Sequence, residues 1–162
     1  MKDAQLLKQF TFWRYRTLQA LDAVTEEQAD VLPEGFTNTV RWNLGYVLVT
    51  AEFALDRFTE MEKSLPINYS PLFKAGTRPS DWTEEPPSLT EIKHYLLEQN
   101  KRISELEGKL SESLQSDFSI GSYLTLETVG ELILFLMNHE NLHLGTISGI
   151  KRAQGMKELW KK

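Results

Sequence analysis

No cysteine occurs among the 162 residues. That absence rules out a disulfide framework, a thiolate metal site and a nucleophilic cysteine, so a thiol can enter only as a substrate. An excess of basic charge is missing too: 18 Lys and Arg stand against 23 Asp and Glu, a net charge of -5, which leaves no electrostatic footprint for nucleic acid. There is no long apolar run. The opening MKDAQLLKQFTFW interleaves charges with apolar residues and reads as neither signal peptide nor membrane span. Neither a membrane nor a nucleic acid is therefore expected as a partner, and the expected location is the cytoplasm. No stretch alternates with period two for long enough to predict a strand. What is present, 41% hydrophobic and 25% charged residues, describes one globular domain over residues 1–162, large enough to bury a core without staples.

Four amphipathic helices are predicted. In the first, Asp3 to Val24, residues Leu7, Phe10, Leu18 and Leu21 recur at helical spacing, with Arg14 on the same stripe. Thr25 to Gln28 reads as a short helical turn. LPEGF then breaks the chain before Thr37 or Asn38 caps a second helix over Thr39 to Met61. Residues 62–87 hold most of the six prolines together with Tyr69, Phe73 and Trp82, a long irregular segment of the kind that covers something. Ser88-Leu-Thr-Glu91 is a capping box opening the third helix, whose seam runs Leu89, Ile92, Leu96, Gln99, Ile103, Leu106, Leu110. The fourth helix is predicted from Leu126 to Ala153, after a loop at 117–124. An all-α four-helix bundle with a long crossover between the second and third helices follows.

Within the fourth helix lies HENLH, His139 to His143, a match to the zinc-protease pattern H-E-x-x-H. Two imidazoles four residues apart sit about 40° apart on a helix and can share a metal. The protease reading also needs a third ligand. The metzincin continuation fails, with Thr146 where glycine belongs and Gly149 where histidine belongs, and the only acid after His143 is Glu158. A metalloprotease is thus the remotest of the alternatives. The wheel places both histidines toward the core and Glu140 at the edge of that face. His94 falls opposite Ile92 and Leu96 and is predicted to be exposed. Arg14 is either an anion or substrate contact or a snorkelling side chain paired with a carboxylate such as Glu52. Phe36, Trp42, Tyr69, Phe73 and Trp82 either floor a ligand pocket or pin the long loop to the bundle.

NTVRWNLGYVLVTAE, LFKAGTRPSDW and NHENLHLGTISGIKRA together resemble the DinB-like (YfiT-like) superfamily, in its bacillus-type branch, over nearly the whole chain. The resemblance implies an up, up, down, down bundle, often a homodimer, with a divalent metal, zinc or nickel, on three histidines. Two of these match His139 and His143. The third follows the pattern W-N-L-G-H, and here that position is Tyr46, on one helical face with Trp42 and Asn43. A neutral phenol, with a reference pKa of about 10, is a poor ligand for such metals at neutral pH.

Three arrangements of Tyr46, His139 and His143 follow. A metal binds through the histidines, water and Tyr46 or Asn43; or the Tyr46 hydroxyl, Gln99 and the histidines close a metal-free hydrogen-bond network; or Tyr46 plugs the pocket. Characterised relatives imply thiol-dependent transferase or isomerase chemistry, which here would rest on the two histidines with Glu140 or Tyr46 moving a proton. The competing expectation is a non-catalytic binding or stress-related protein with a degenerate site, taking a small-molecule or thiol ligand.

Overall fold

A computed structural model describes residues 2–161. Helix α1 spans Asp3–Asp22, a single turn α2 Glu26–Ala29, α3 Val40–Phe58, a short α4 Tyr69–Phe73, α5 Leu89–Ser104 and α6 Val129–Ala153. Two strands, β1 Ser113–Ile120 and β2 Leu124–Thr128, pair antiparallel immediately before α6. The molecule is therefore predominantly helical with one small sheet. No helix among the described residues is long and apolar enough to cross a membrane.

The helix starts are written in side chains. Ser88 Oγ accepts from the Glu91 amide at 3.1 Å, as its capping box predicts. At α3 the cap is Thr39, whose hydroxyl accepts from the Trp42 amide, so neither Thr37 nor Asn38 plays that part. At α6 Thr128 and Glu131 form a reciprocal capping box, which moves the helix start from Leu126 to Val129. Leu126 belongs to β2 instead.

The hairpin corrects the expectation of an all-helical chain without strands. Alternation does exist in β1, where Leu114, Ser116 and Phe118 are half-buried between exposed neighbours. Its middle inward residue is a serine, so the apolar signal at period two is broken. Gly121, at φ 56°, makes the turn, and the register is interrupted between Ser113 and Phe118. Phe118 then packs on Phe58 of α3 and Phe135 of α6, with ring centroids 4.9 and 5.3 Å away.

The four long helices pack side by side, α1 against α5 and α6, and α3 against the same two. Their directions follow from the bonds between them. Asp22 meets Lys93 at one end of α1, and Asp3 takes the Gly108 and Leu110 amides at the other, so α1 and α5 run oppositely. Arg14 meets Glu140 and Ala20 meets Lys151, which makes α1 and α6 parallel. Arg41 reaches Pro87 and Glu52 reaches Gln99, so α3 and α5 are parallel to each other. The order is up, down, down, up, not up, up, down, down. Residues 59–88 are the crossover, which must run the length of α3 to begin α5 at the end where α3 began.

Polar side chains tie all four helices together through the interior. Arg14, 1% exposed, donates through Nε to both oxygens of Glu140, 2% exposed, at 3.0 and 3.1 Å. Its Nη1 donates to the Leu96 carbonyl at 2.8 Å and its Nη2 to Gln99 Oε1 at 3.1 Å. Gln99 passes the chain on, donating to the Leu48 carbonyl and, at 2.8 Å, to Glu52. Glu52 also accepts from Arg102 at 2.8 Å and from the Ser64 amide at 2.6 Å, which anchors the start of the crossover. Burial pushes the Glu52 carboxyl up, and the hydrogen bonds from Gln99, Arg102 and Ser64 outweigh it and hold it below the ordinary carboxylate range.

Removing one member of such a buried pair leaves the other charge uncompensated. We expect Glu140→Gln to destabilise the fold by about 3–5 kcal/mol, and the double variant Arg14→Met with Glu140→Leu to recover most of that loss. Urea unfolding midpoints measure both; an unchanged midpoint for Glu140→Gln would show that the pair does not hold the helices.

Candidate functional site

Along α6 the buried stripe runs Ile133, Met137, Glu140, Leu144, Ile147, Lys151. It reverses the expected order within HENLH. Glu140 is the inward residue and is committed to Arg14, while His139 and His143 are half-buried on the flank that faces α3. Leu142, inside the same motif, is 68% exposed. Two signals mark this arrangement in the sequence: one arginine and one glutamate, each standing on the apolar stripe of its own helix. Arg14 accordingly pairs with Glu140, and Glu52 belongs to Arg102 and Gln99.

From α3 the residues Trp42, Asn43 and Tyr46 face the histidines, because positions three and four apart share one face. Trp42 is held by its indole N–H, which donates to Thr77 Oγ1 of the crossover at 3.0 Å. Tyr46 stacks on Trp42 with centroids 4.8 Å apart and lies edge-on to both imidazoles, at 5.2 Å from His139 and 4.9 Å from His143. The imidazoles are 4.6 Å from each other. Gly45 lies directly beneath Phe73, which leaves no room for a Cβ there and lets the crossover seat against α3.

One hydrogen bond assigns the His143 tautomer. Asn43 Nδ2 donates to the Thr39 carbonyl at 2.7 Å, which turns Oδ1 of the same amide toward His143 Nδ1, 2.8 Å away. An amide oxygen only accepts, so Nδ1 carries the proton and Nε2 presents a lone pair. Burial, and then the nearby His139, push His143 down to about 4. Burial likewise lowers His139, against the opposing pull of the Glu140 carboxylate. Both rings are neutral at pH 7.

Gln99 does not join them, since it sits in the Arg14 network, and Tyr46 meets the histidines through its ring. The arrangement thus gathers Trp42, Asn43, Tyr46, His139 and His143 in one cluster and assigns Arg14, Gln99 and Glu140 to another. His94 is exposed on α5, as expected. Of the aromatics proposed for a pocket floor, Tyr69 and Phe73 are core, with the Tyr69 hydroxyl on Glu91 and the Phe73 ring against Trp82.

A cavity of 440 Å³ opens beside the cluster, between α3, the crossover, the hairpin and α6. Tyr46 and Phe135 line it, and each also touches the His139 ring. Phe53, Phe118 and Lys74 complete its character. Phe118 and Lys74 are not legible as site residues in the sequence, because the hairpin and the crossover bring them there and neither has a periodicity that fixes its position; Phe53 comes from α3, two turns beyond Tyr46.

The donors do not make the three-ligand metal site. Two imidazoles stand beside a phenol, Glu140 is taken up by Arg14, and no group of three or more His, Cys, Asp or Glu able to hold a metal ion occurs among the described residues.

A mostly helical chain with a histidine pair on its last helix facing a W-N-L-G-x segment on an earlier one defines the class. The family model of the DinB superfamily matches residues 9–147, and the chain belongs to that superfamily. No curated protein matches it.

The unfolded chain binds protons on these two imidazoles more readily than the folded one, so they add stability above about pH 6.5 and lose it as the pH falls toward about 4. We expect His143→Gln to flatten the stability profile between about pH 6.5 and 5, above the range where Glu52 titrates. Thermal midpoints across that interval check it; parallel profiles would mean that His143 is not buried as a neutral ring.

Proposed function

We propose that this chain is a four-helix-bundle binding protein of the DinB superfamily, whose histidine pair works without a metal and forms the polar flank of a small-molecule cavity. The observation that carries the reading is the position of Tyr46. Its ring is stacked on Trp42 and set edge-on to both imidazoles, where the resemblance calls for a third nitrogen ligand. A site with one of three ligands replaced by a neutral phenol loses much of its affinity for zinc or nickel. The cavity beside it has the size and apolar lining typical of small-molecule sites. The H-E-x-x-H protease reading has no support, because Glu140 neutralises Arg14 and is not free to activate water.

A second reading, a divalent-metal-dependent enzyme such as a thiol transferase using His139 and His143, is favoured by one observation. The Asn43 amide orients His143 in the way that outer partners orient metal-bound imidazoles.

Metal analysis of protein purified without a histidine tag separates the two. We expect far less than one equivalent of zinc, nickel or iron, and a gain in zinc affinity of more than about tenfold in Tyr46→His. Near-stoichiometric metal that disappears in His139→Ala would overturn the metal-free reading.

A further inference from the structure

The cavity has one charged group. Around its 440 Å³ stand the rings of Tyr46, Phe53, Phe118 and Phe135, the hydroxyls of Thr50 and Ser70, and the ammonium of Lys74; no carboxylate lines it. Lys74 is exposed at the end of α4 and makes no ion pair among the described residues, in a chain whose surface otherwise carries an excess of acid. Thr50 and Ser70 spend no side-chain hydrogen bond on the described protein atoms, which leaves both hydroxyls to a ligand.

From this juxtaposition we propose that the cavity binds an amphipathic monocarboxylate, its aliphatic or aromatic body against the four rings and its carboxylate on Lys74 with the Ser70 and Thr50 hydroxyls. This rests on the binding reading above and adds the ligand class. The body must be uncharged, because burying a second charge among these rings would find no partner. A single ammonium with two hydroxyls suits one negative charge; no second cation or guanidinium fork lines this cavity to balance a doubly charged phosphate. A volume of 440 Å³ takes a body of about ten carbon atoms.

Calorimetric titration of the full-length protein with decanoate, and with decan-1-ol as the neutral counterpart, tests it. We expect saturable one-to-one binding of decanoate, weakened about tenfold by Lys74→Met, with decan-1-ol binding unchanged by that substitution. Lys74 is exposed, so the variant keeps its fold. Ala75→Trp at the exposed lip is expected to abolish binding of both probes, and Phe53→Asp, which adds an acid to the wall, to weaken decanoate more than decan-1-ol. The proposal is overturned if decanoate does not bind at millimolar concentration, if Lys74→Met weakens both probes equally or neither, or if Ala75→Trp leaves binding intact. Decanoate binding to protein that also carries metal would sustain this proposal and remove the metal-free reading; metal-free protein that ignores decanoate would do the reverse.

Discussion

The packing of the four long helices depends on the buried guanidinium of Arg14. Arg14 sits in the middle of the first helix and is sealed from solvent by its neighbours, where an uncompensated guanidinium would cost several kcal/mol. Glu140 neutralises it, and the carbonyl of Leu96 and the side-chain oxygen of Gln99 each accept one N–H from its two terminal nitrogens. These partners come from α6 and α5, and through Glu52 the chain of bonds reaches α3. An apolar core tolerates sliding of one helix along another; a forked donor with fixed acceptors does not. The polar network therefore sets the relative height of the four helices, and with it the level at which Tyr46 faces the histidines.

That relation explains what could be read from the sequence and what could not. The helices were legible because apolar residues recur at three and four, and Ser88 caps α5 where it was expected, although Glu91 gives its carboxylate to Tyr69 and the box is only half made. Family membership was legible in the W-N-L-G and H-x-x-x-H-x-G segments. The partner of Arg14 was not, since Glu52 and Glu140 both lie near core stripes and only the mutual direction of α1 and α6 decides between them. The hairpin was missed because its strands are mostly exposed and Ser116 interrupts their one inward row. For the same reason the cavity was out of reach: its walls at Phe118 and Lys74 come from segments placed by tertiary contacts alone.

HENLH shows how a motif changes meaning with its setting. In a zinc protease the glutamate faces the metal and both histidines ligate it. Here the helix is rotated so that the glutamate enters the core, which turns the presumed catalytic base into the counter-ion of a structural arginine. The histidines are left on the flank, where Asn43 fixes the tautomer of His143 and Tyr46 fills the space between the helices. What remains is a neutral, acceptor-bearing imidazole next to an aromatic-lined cavity.

The pairing of Arg14 with Glu140 spans 126 positions. Until α6 has been made and has docked parallel to α1, the guanidinium lacks its counter-ion, and the first three long helices can cluster through their apolar stripes without a satisfied interior. Closing so long a loop is entropically costly and comes late. A chain that lacks α6 would leave Arg14 without its counter-ion, and an unpaired guanidinium disfavours a closed interior.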